Sequence, residues 1–141
     1  MDAPDAVDLQ RFVDAQDAGG TWETALAELR AGRKRTHWAW FVFPQLAGLG
    51  HSPTARRYAL QGLAEARAYL AHPVLGPRLR ASAAALLALP DCDPVAVLGE
   101  VDALKLRSSM TLFAAASEEP VFREVLTRCC GGPDPVTTSR L

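Results

Sequence analysis

Ten prolines and ten glycines in 141 residues constrain this chain more than any other feature, because most fall where a helix would start or stop. Proline has no amide proton and a fixed φ, so it suits the first turn of a helix and breaks the interior. Ser52-Pro53, His72-Pro73, Asp93-Pro94 and Glu119-Pro120 therefore read as helix starts, and Gly32, Gly99 and Gly131-Gly132 as stops. Apolar residues recur at helical spacing between these marks: Leu9, Phe12 and Val13 behind an Asp8 cap, and Leu26 and Leu29 behind a Thr21 cap. The pattern continues with Leu63 to Leu70, then Leu75, Leu79, Leu86 and Leu87, then Val101 to Ala116, then Phe122, Val125 and Leu126. Trp38 to Phe43 has strand-like composition, but Pro44 ends it and no partner strand is evident, so a helical turn or buried loop is expected. The prediction is an all-α, compact single domain over residues 1–141, made of about seven or eight short helices crossing at large angles. Residues 1–7 and about 136–141 are expected to be disordered.

A hydrophobic fraction of 49% with 22% charged residues suits a packed globular domain. No apolar run approaches a membrane span, and the acidic start is unlike a signal peptide, so the reading is cytoplasmic with no membrane partner. Three cysteines, Cys92, Cys129 and Cys130, lack CxxC spacing; a disulfide framework or a zinc site is not expected. The net charge of −1 conceals a basic middle: residues 25–90 hold nine bases and two acids. That gives anions a preferred side, while a pI near 6.3 argues against duplex DNA. A solvated charged face is the plainer reading of the same run.

The densest chemistry lies in RAGRKRTHWAWFVFPQLAGLGHSP, from Arg30 to Pro53. Cations (Arg33, Lys34, Arg35) precede His37, Trp38 and Trp40, and Gln45 follows. Such a mixture suits a flat or anionic ligand: a guanidinium and an imidazole for charge, an indole for stacking, an amide for a ring edge or carbonyl. In the plainer account Trp38, Phe41 and Phe43 fill the core and Trp40 covers a neighbouring helix. Gly48 to Ser52, with Gly50 and His51, leads into a helix N-terminus whose amide protons attract anions. The glycine spacing matches neither a Walker nor a dinucleotide-binding motif. His72 reads as a helix-junction residue bonded to a backbone carbonyl.

A second polar cluster occupies DALKLRSSMTLF. Asp102, Lys105 and Ser108 share a helix face at three-residue spacing, and Ser109 and Thr111 add hydroxyls among Leu104, Met110 and Phe113. The alternatives are a pocket wall, or an Asp102–Lys105 surface pair beside a tight helix contact. No GxSxG, HExxH, Cys/His or paired-carboxylate motif is present. Cys129-Cys130 falls at a helix C-terminus, where the dipole disfavours a reactive thiolate. No catalytic residue, metal or cofactor is assigned.

With these residues in view, the chain resembles the bacterial family known as domain of unknown function 1810, some members of which carry the label "calpastatin". The resemblance spans Asp8 to about Thr138. It is carried by Lys34 to Trp38, Trp40 to Gln45, Gly48-Leu49-Gly50, Tyr58-Ala59, Ala68 to Gly76, Asp102, and Lys105 to Phe113. It implies a small domain of short helices and brings no activity, cofactor or catalytic residue. Calpain inhibitors of the labelled kind are long disordered repeats, unlike this composition. The layout is also similar to small all-α domains that process ADP-ribose.

Two function classes follow. One is a site for an anionic or nucleotide-like small molecule, with or without a reaction, using Arg35, His37 and Lys105 for charge, Trp38 or Trp40 for stacking, and Asp102 or Ser109 for orientation. The other is a non-enzymatic interaction module that docks an acidic partner on the basic, aromatic segment. The oligomeric state is not assigned. Both clusters must converge for the first reading to stand.

Overall fold

The computed structural model describes the backbone of residues 4–141 and the side chains from Leu9 onward. Its helices are α1 (Pro4–Asp17), α2 (Thr21–Ala31), α3 (Ala39–Val42), α4 (Pro53–Arg57), α5 (Leu63–Ala71), α6 (Leu75–Leu87), α7 (Pro94–Leu98), α8 (Glu100–Ala116), α9 (Pro120–Val125) and α10 (Pro135–Ser139). A π turn, Leu126–Cys130, prolongs α9. No strand occurs among the described residues; a single bridge joins Leu46 to Leu60. The fold is all-α and compact, as the punctuation predicts.

The caps show why the boundaries fall where they do. The Ser52 hydroxyl accepts from the Ala55 amide at 3.1 Å, and Asp93 Oδ1 accepts from Val95 and Ala96, each one residue before a proline. Gly32 ends α2 at φ 75°, a left-handed conformation that favours glycine. Thr21 departs from its expected role: α2 is preceded by Gly20, and the Thr21 hydroxyl donates back to Ala18 O. Asp8 lies inside α1 rather than at its start. His72 accepts instead of donating, its Nδ1 taking the amides of Val74 and Leu75 at 3.1 and 3.2 Å. It thereby meets two of the orphan N–H groups that open α6.

The C-terminal residues, expected to be disordered, form α10. Asp134-Pro135 repeats the cap-and-proline signature, with Asp134 Oδ2 accepting from the Thr137 amide. Thr137 is fully buried and shares a 2.8 Å hydrogen bond with Ser108 on α8.

The 17-residue α8 is the axis of the molecule, packed against α3, α5, α7, α9 and α10. Aromatic rings run through the core from α1 to α9: Phe12 meets Tyr69 edge-on at 5.3 Å, Tyr69 meets Phe113 at 5.4 Å, and Phe113 meets Phe122 at 5.8 Å. Tyr69 is fully buried; its hydroxyl donates to Phe41 O and accepts from Gln16. Desolvation pushes its phenol pKa up, so it stays a donor.

Cys92 and Cys129 form a disulfide, contrary to the expectation from cysteine spacing. The fold brings their Cα atoms to 5.1 Å across 37 residues, and no local motif announces that proximity. Cys130 keeps a free thiol, and burial pushes its pKa up to about 11.

The corner between α5 and α6 offers a sharp test. A Cβ on Gly76 would lie 2.1 Å from the Leu70 carbonyl oxygen, a backbone atom that cannot swing aside. Gly76→Ala should lower the unfolding free energy by about 3 kcal/mol or more, read by denaturant melts. A loss within experimental scatter would show that the corner is not packed this tightly.

Candidate functional site

The site begins at the end of α2. Gly32 turns the chain, Arg33 N bonds back to Glu28 O, and Lys34 N donates to Val97 O of α7 at 2.7 Å. The Glu28 side chain then organises the next four residues. Its Oε1 accepts from the amides of Arg35 (2.8 Å) and Thr36 (3.1 Å) and from Trp38 Nε1 (2.9 Å); its Oε2 accepts from the Thr36 hydroxyl (2.9 Å). Burial raises the pKa of this carboxyl, but the donors from Arg35, Trp38 and Thr36 together outweigh it and hold the group at about 2. Glu28 occupies a buried position beside Ala25 and Leu29 on the apolar stripe of α2. A carboxylate on such a stripe is a signal, since buried acids demand partners, and sequence reasoning passed over it.

With the loop fixed, Lys34 points inward. Its Nζ lies 2.9 Å from Asp102 Oδ2, while Lys105 Nζ lies 2.7 Å from Asp102 Oδ1. Only 9% and 11% of the two lysine side chains are exposed, against 17% for Asp102. Each ammonium also faces an indole: Lys34 sits 5.3 Å from the Trp38 ring centroid and Lys105 4.0 Å from that of Trp40. The order in space is indole, ammonium, carboxylate, ammonium, indole. Desolvation raises the Asp102 pKa, but hydrogen bonds from Lys105 and Lys34 and their charge bring it below the usual range. The Asp102–Lys105 pair is thus not a surface pair, because Lys34 completes it from another element.

The expected site residues divide accordingly. Trp38, Trp40, Asp102 and Lys105 meet in this cluster, Trp38 buried and Trp40 half-buried, while Arg35 and His37 are exposed residues of the loop that carries Lys34. Ser108 and Thr111 instead serve α10: Ser108 bonds to Thr137, and the Thr111 hydroxyl donates to Arg107 O and accepts from Asp134 N. Ser109 is fully buried and its hydroxyl has no partner among the described residues. Gln45 lines a shallow groove with Leu104 and Ser108, and a second one with Gly48, Gly50 and Arg56 beside α4. Gly50 fits tightly there, since a Cβ would come 2.7 Å from the Ala55 Cβ. His51 is exposed. None of the residues lining the α4 groove belongs to the lysine cluster.

The arrangement defines a small all-α domain in which a carboxylate-pinned basic loop meets a central helix through two nearly buried lysines. The chain belongs to the family described as "Protein of unknown function (DUF1810)", whose model matches residues 6–141. It is similar to the crystal structure of the conserved hypothetical protein Rv1873 from Mycobacterium tuberculosis, at 47% identity and a TM-score of 0.91, over 95% of this chain and 96% of that one. No curated protein matches. No helix among the described residues is long and apolar enough to cross a membrane.

The Glu28 carboxyl gives the site a pH signature. Its folded pKa lies below its unfolded value of 4.5, so the unfolded chain binds the extra proton, and stability should fall as pH drops from about 5 toward 2. The loss should be on the order of 1–3 kcal/mol. Glu28→Gln should be less stable at pH 7 and should lack most of this acid dependence in urea melts across that window. An unchanged pH profile in the variant would show that the loop is not held by this charge.

Proposed function

We propose that the Lys34–Asp102–Lys105 cluster and the adjoining loop bind an anionic small molecule of the nucleotide-like class. The observation that carries this reading is the sharing of one carboxylate by two lysines that are nine-tenths buried. Desolvated charge is costly unless matched. One carboxylate for two ammoniums leaves the Asp102 centre one negative charge short, and Arg35 and His37 are exposed on the same loop as Lys34. A phosphate or carboxylate group drawn to the loop would meet these cations, and the half-buried Trp40 indole would offer a face to a planar ring. Glu28 does not compete for the cations, because its oxygens are taken by N–H and O–H donors. No nucleophile–base pair accompanies the cluster, and the proposal is of binding, with no reaction assigned.

A second reading, docking of an acidic protein segment, is favoured by the exposure of Arg30, Arg33, Arg35 and His37 along one stretch. The two differ in what Trp40 and Lys105 do: a small molecule needs them, whereas a docked acidic segment needs the exposed arginines.

Thermal-shift measurements with nucleotides, ADP-ribose and phosphorylated metabolites separate these readings. A ligand at about 100 times its dissociation constant should raise the melting temperature by roughly 5 °C or more. The shift should shrink at least about tenfold in ligand affinity for His37→Ala and Trp40→Ala. Stabilisation by an acidic peptide alone, lost in Arg33→Ala/Arg35→Ala but kept in Trp40→Ala, would replace the small-molecule reading. No response to either class would reject both.

A further inference from the structure

Four of the five large apolar side chains that are most exposed among the described residues lie together: Val95 on α7 (48%), Val101 and Leu104 on α8 (69% and 68%), and Val136 on α10 (54%). Val95 and Leu104 border a groove of about 330 Å³ with Glu100, Ala103, Arg107 and Cys130, Leu104 and Val136 line a second one, and Val101 lies one turn before Leu104 on α8. Helical spacing puts Val101, Leu104, Ser108 and Thr111 on one face of α8. The C-terminal half of that face is covered by α10 through Ser108 and Thr111. The N-terminal half, Val101 and Leu104, has no cover. A face that is half packed and half bare, with more than two-thirds of each bare side chain in water, is the kind of apolar patch that association removes.

We infer that this face is the contact between two copies of the chain, related by a two-fold axis near Leu104 with their α8 helices antiparallel. The charge pattern selects this occupant. Glu100 and Arg107 lie seven residues apart, two helical turns or about 10.5 Å, on the same flank of the bare face. They straddle a midpoint beside Leu104. A two-fold axis there sets Glu100 of one copy against Arg107 of the other, twice, and sets Leu104 against Leu104. Neither residue has an ion-pair partner within the chain among the described residues. Arg107 is already oriented, its Nε and Nη2 donating to Gly132 O and Pro133 O at 2.9 Å each, which leaves Nη1 for an incoming carboxylate. An isologous contact needs a surface complementary to itself, and an apolar ridge flanked by an acid and a base at equal distances meets that need. A parallel arrangement would instead bring like charges together.

Sedimentation equilibrium over a wide concentration range tests the dimer. The chain should associate reversibly. Leu104→Glu, at a position too exposed to affect folding, should leave it monomeric with an unchanged melting temperature. Glu100→Arg would place like charges opposite Arg107 and should weaken the dimer at least about tenfold. A chain that remains monomeric at every concentration overturns the inference, as does a dimer indifferent to Leu104→Glu. A dimer abolished by Leu104→Glu but untouched by Glu100→Arg overturns the antiparallel register.

Discussion

A helix surrounded by other helices must find a partner for each polar side chain it takes out of water, and α8 carries six besides the exposed Glu100: Asp102, Lys105, Arg107, Ser108, Ser109 and Thr111. The neighbours of α8 can be read as answers to that demand. Lys34 arrives from the loop after α2 to share Asp102 with Lys105. The 132–134 turn and α10 come in to receive Arg107, Ser108 and Thr111. Ser109 alone is left without a partner among the described residues. Desolvation makes unmet groups costly, and the packing of the C-terminal third follows from meeting them.

The same demand fixes the basic loop. Lys34 can reach Asp102 only if residues 33–38 hold one shape, and two constraints impose it. Val97 O on α7 takes the Lys34 amide, and the Glu28 carboxylate takes the amides of Arg35 and Thr36 together with the Trp38 indole. Because α7 runs directly into α8 through Gly99, the hold on Lys34 and the position of Asp102 come from a single unit. Cys92, just before α7, ties that unit to the end of the π turn through Cys129. Loop, ion cluster and disulfide thus form one connected frame, with the exposed Arg35 and His37 on its outer edge.

Much of the fold is legible in the sequence because its signals are local. Ser52-Pro53 and Asp93-Pro94 announce helix starts through the chemistry of the cap, and Gly32 announces a stop through its left-handed conformation. Asp134-Pro135 carries the same signature, so α10 too was within reach of that reasoning. The candidate site is half legible. The basic-aromatic segment and the Asp102–Thr111 helix each stand out by composition. Glu28 carries a local signal, an acid on an apolar helix stripe with its donors seven to ten residues further on, whereas Lys34 is not set apart from the neighbouring cations, because its partner Asp102 lies far away in the chain. Ser108 and Thr111 show the same limit: spacing places hydroxyls on a helix, but only the neighbouring element determines their partners, here Thr137 and the Asp134 amide.

The sequence by itself determined a chain of short helices with their corners, an interior rich in leucine, alanine and aromatic residues, and two polar clusters awaiting partners. Those properties depend on residues within a few positions of one another, where propensity and capping act. Tertiary structure decided which of two serines on α8 found a hydroxyl partner, and that Cys129 rather than Cys130 pairs with Cys92. It also decided that a lysine in a run of cations turns inward to share a carboxylate 68 residues away (Lys34 to Asp102). Such outcomes depend on contacts between distant segments, which the packing of helices around α8 creates and no local pattern encodes.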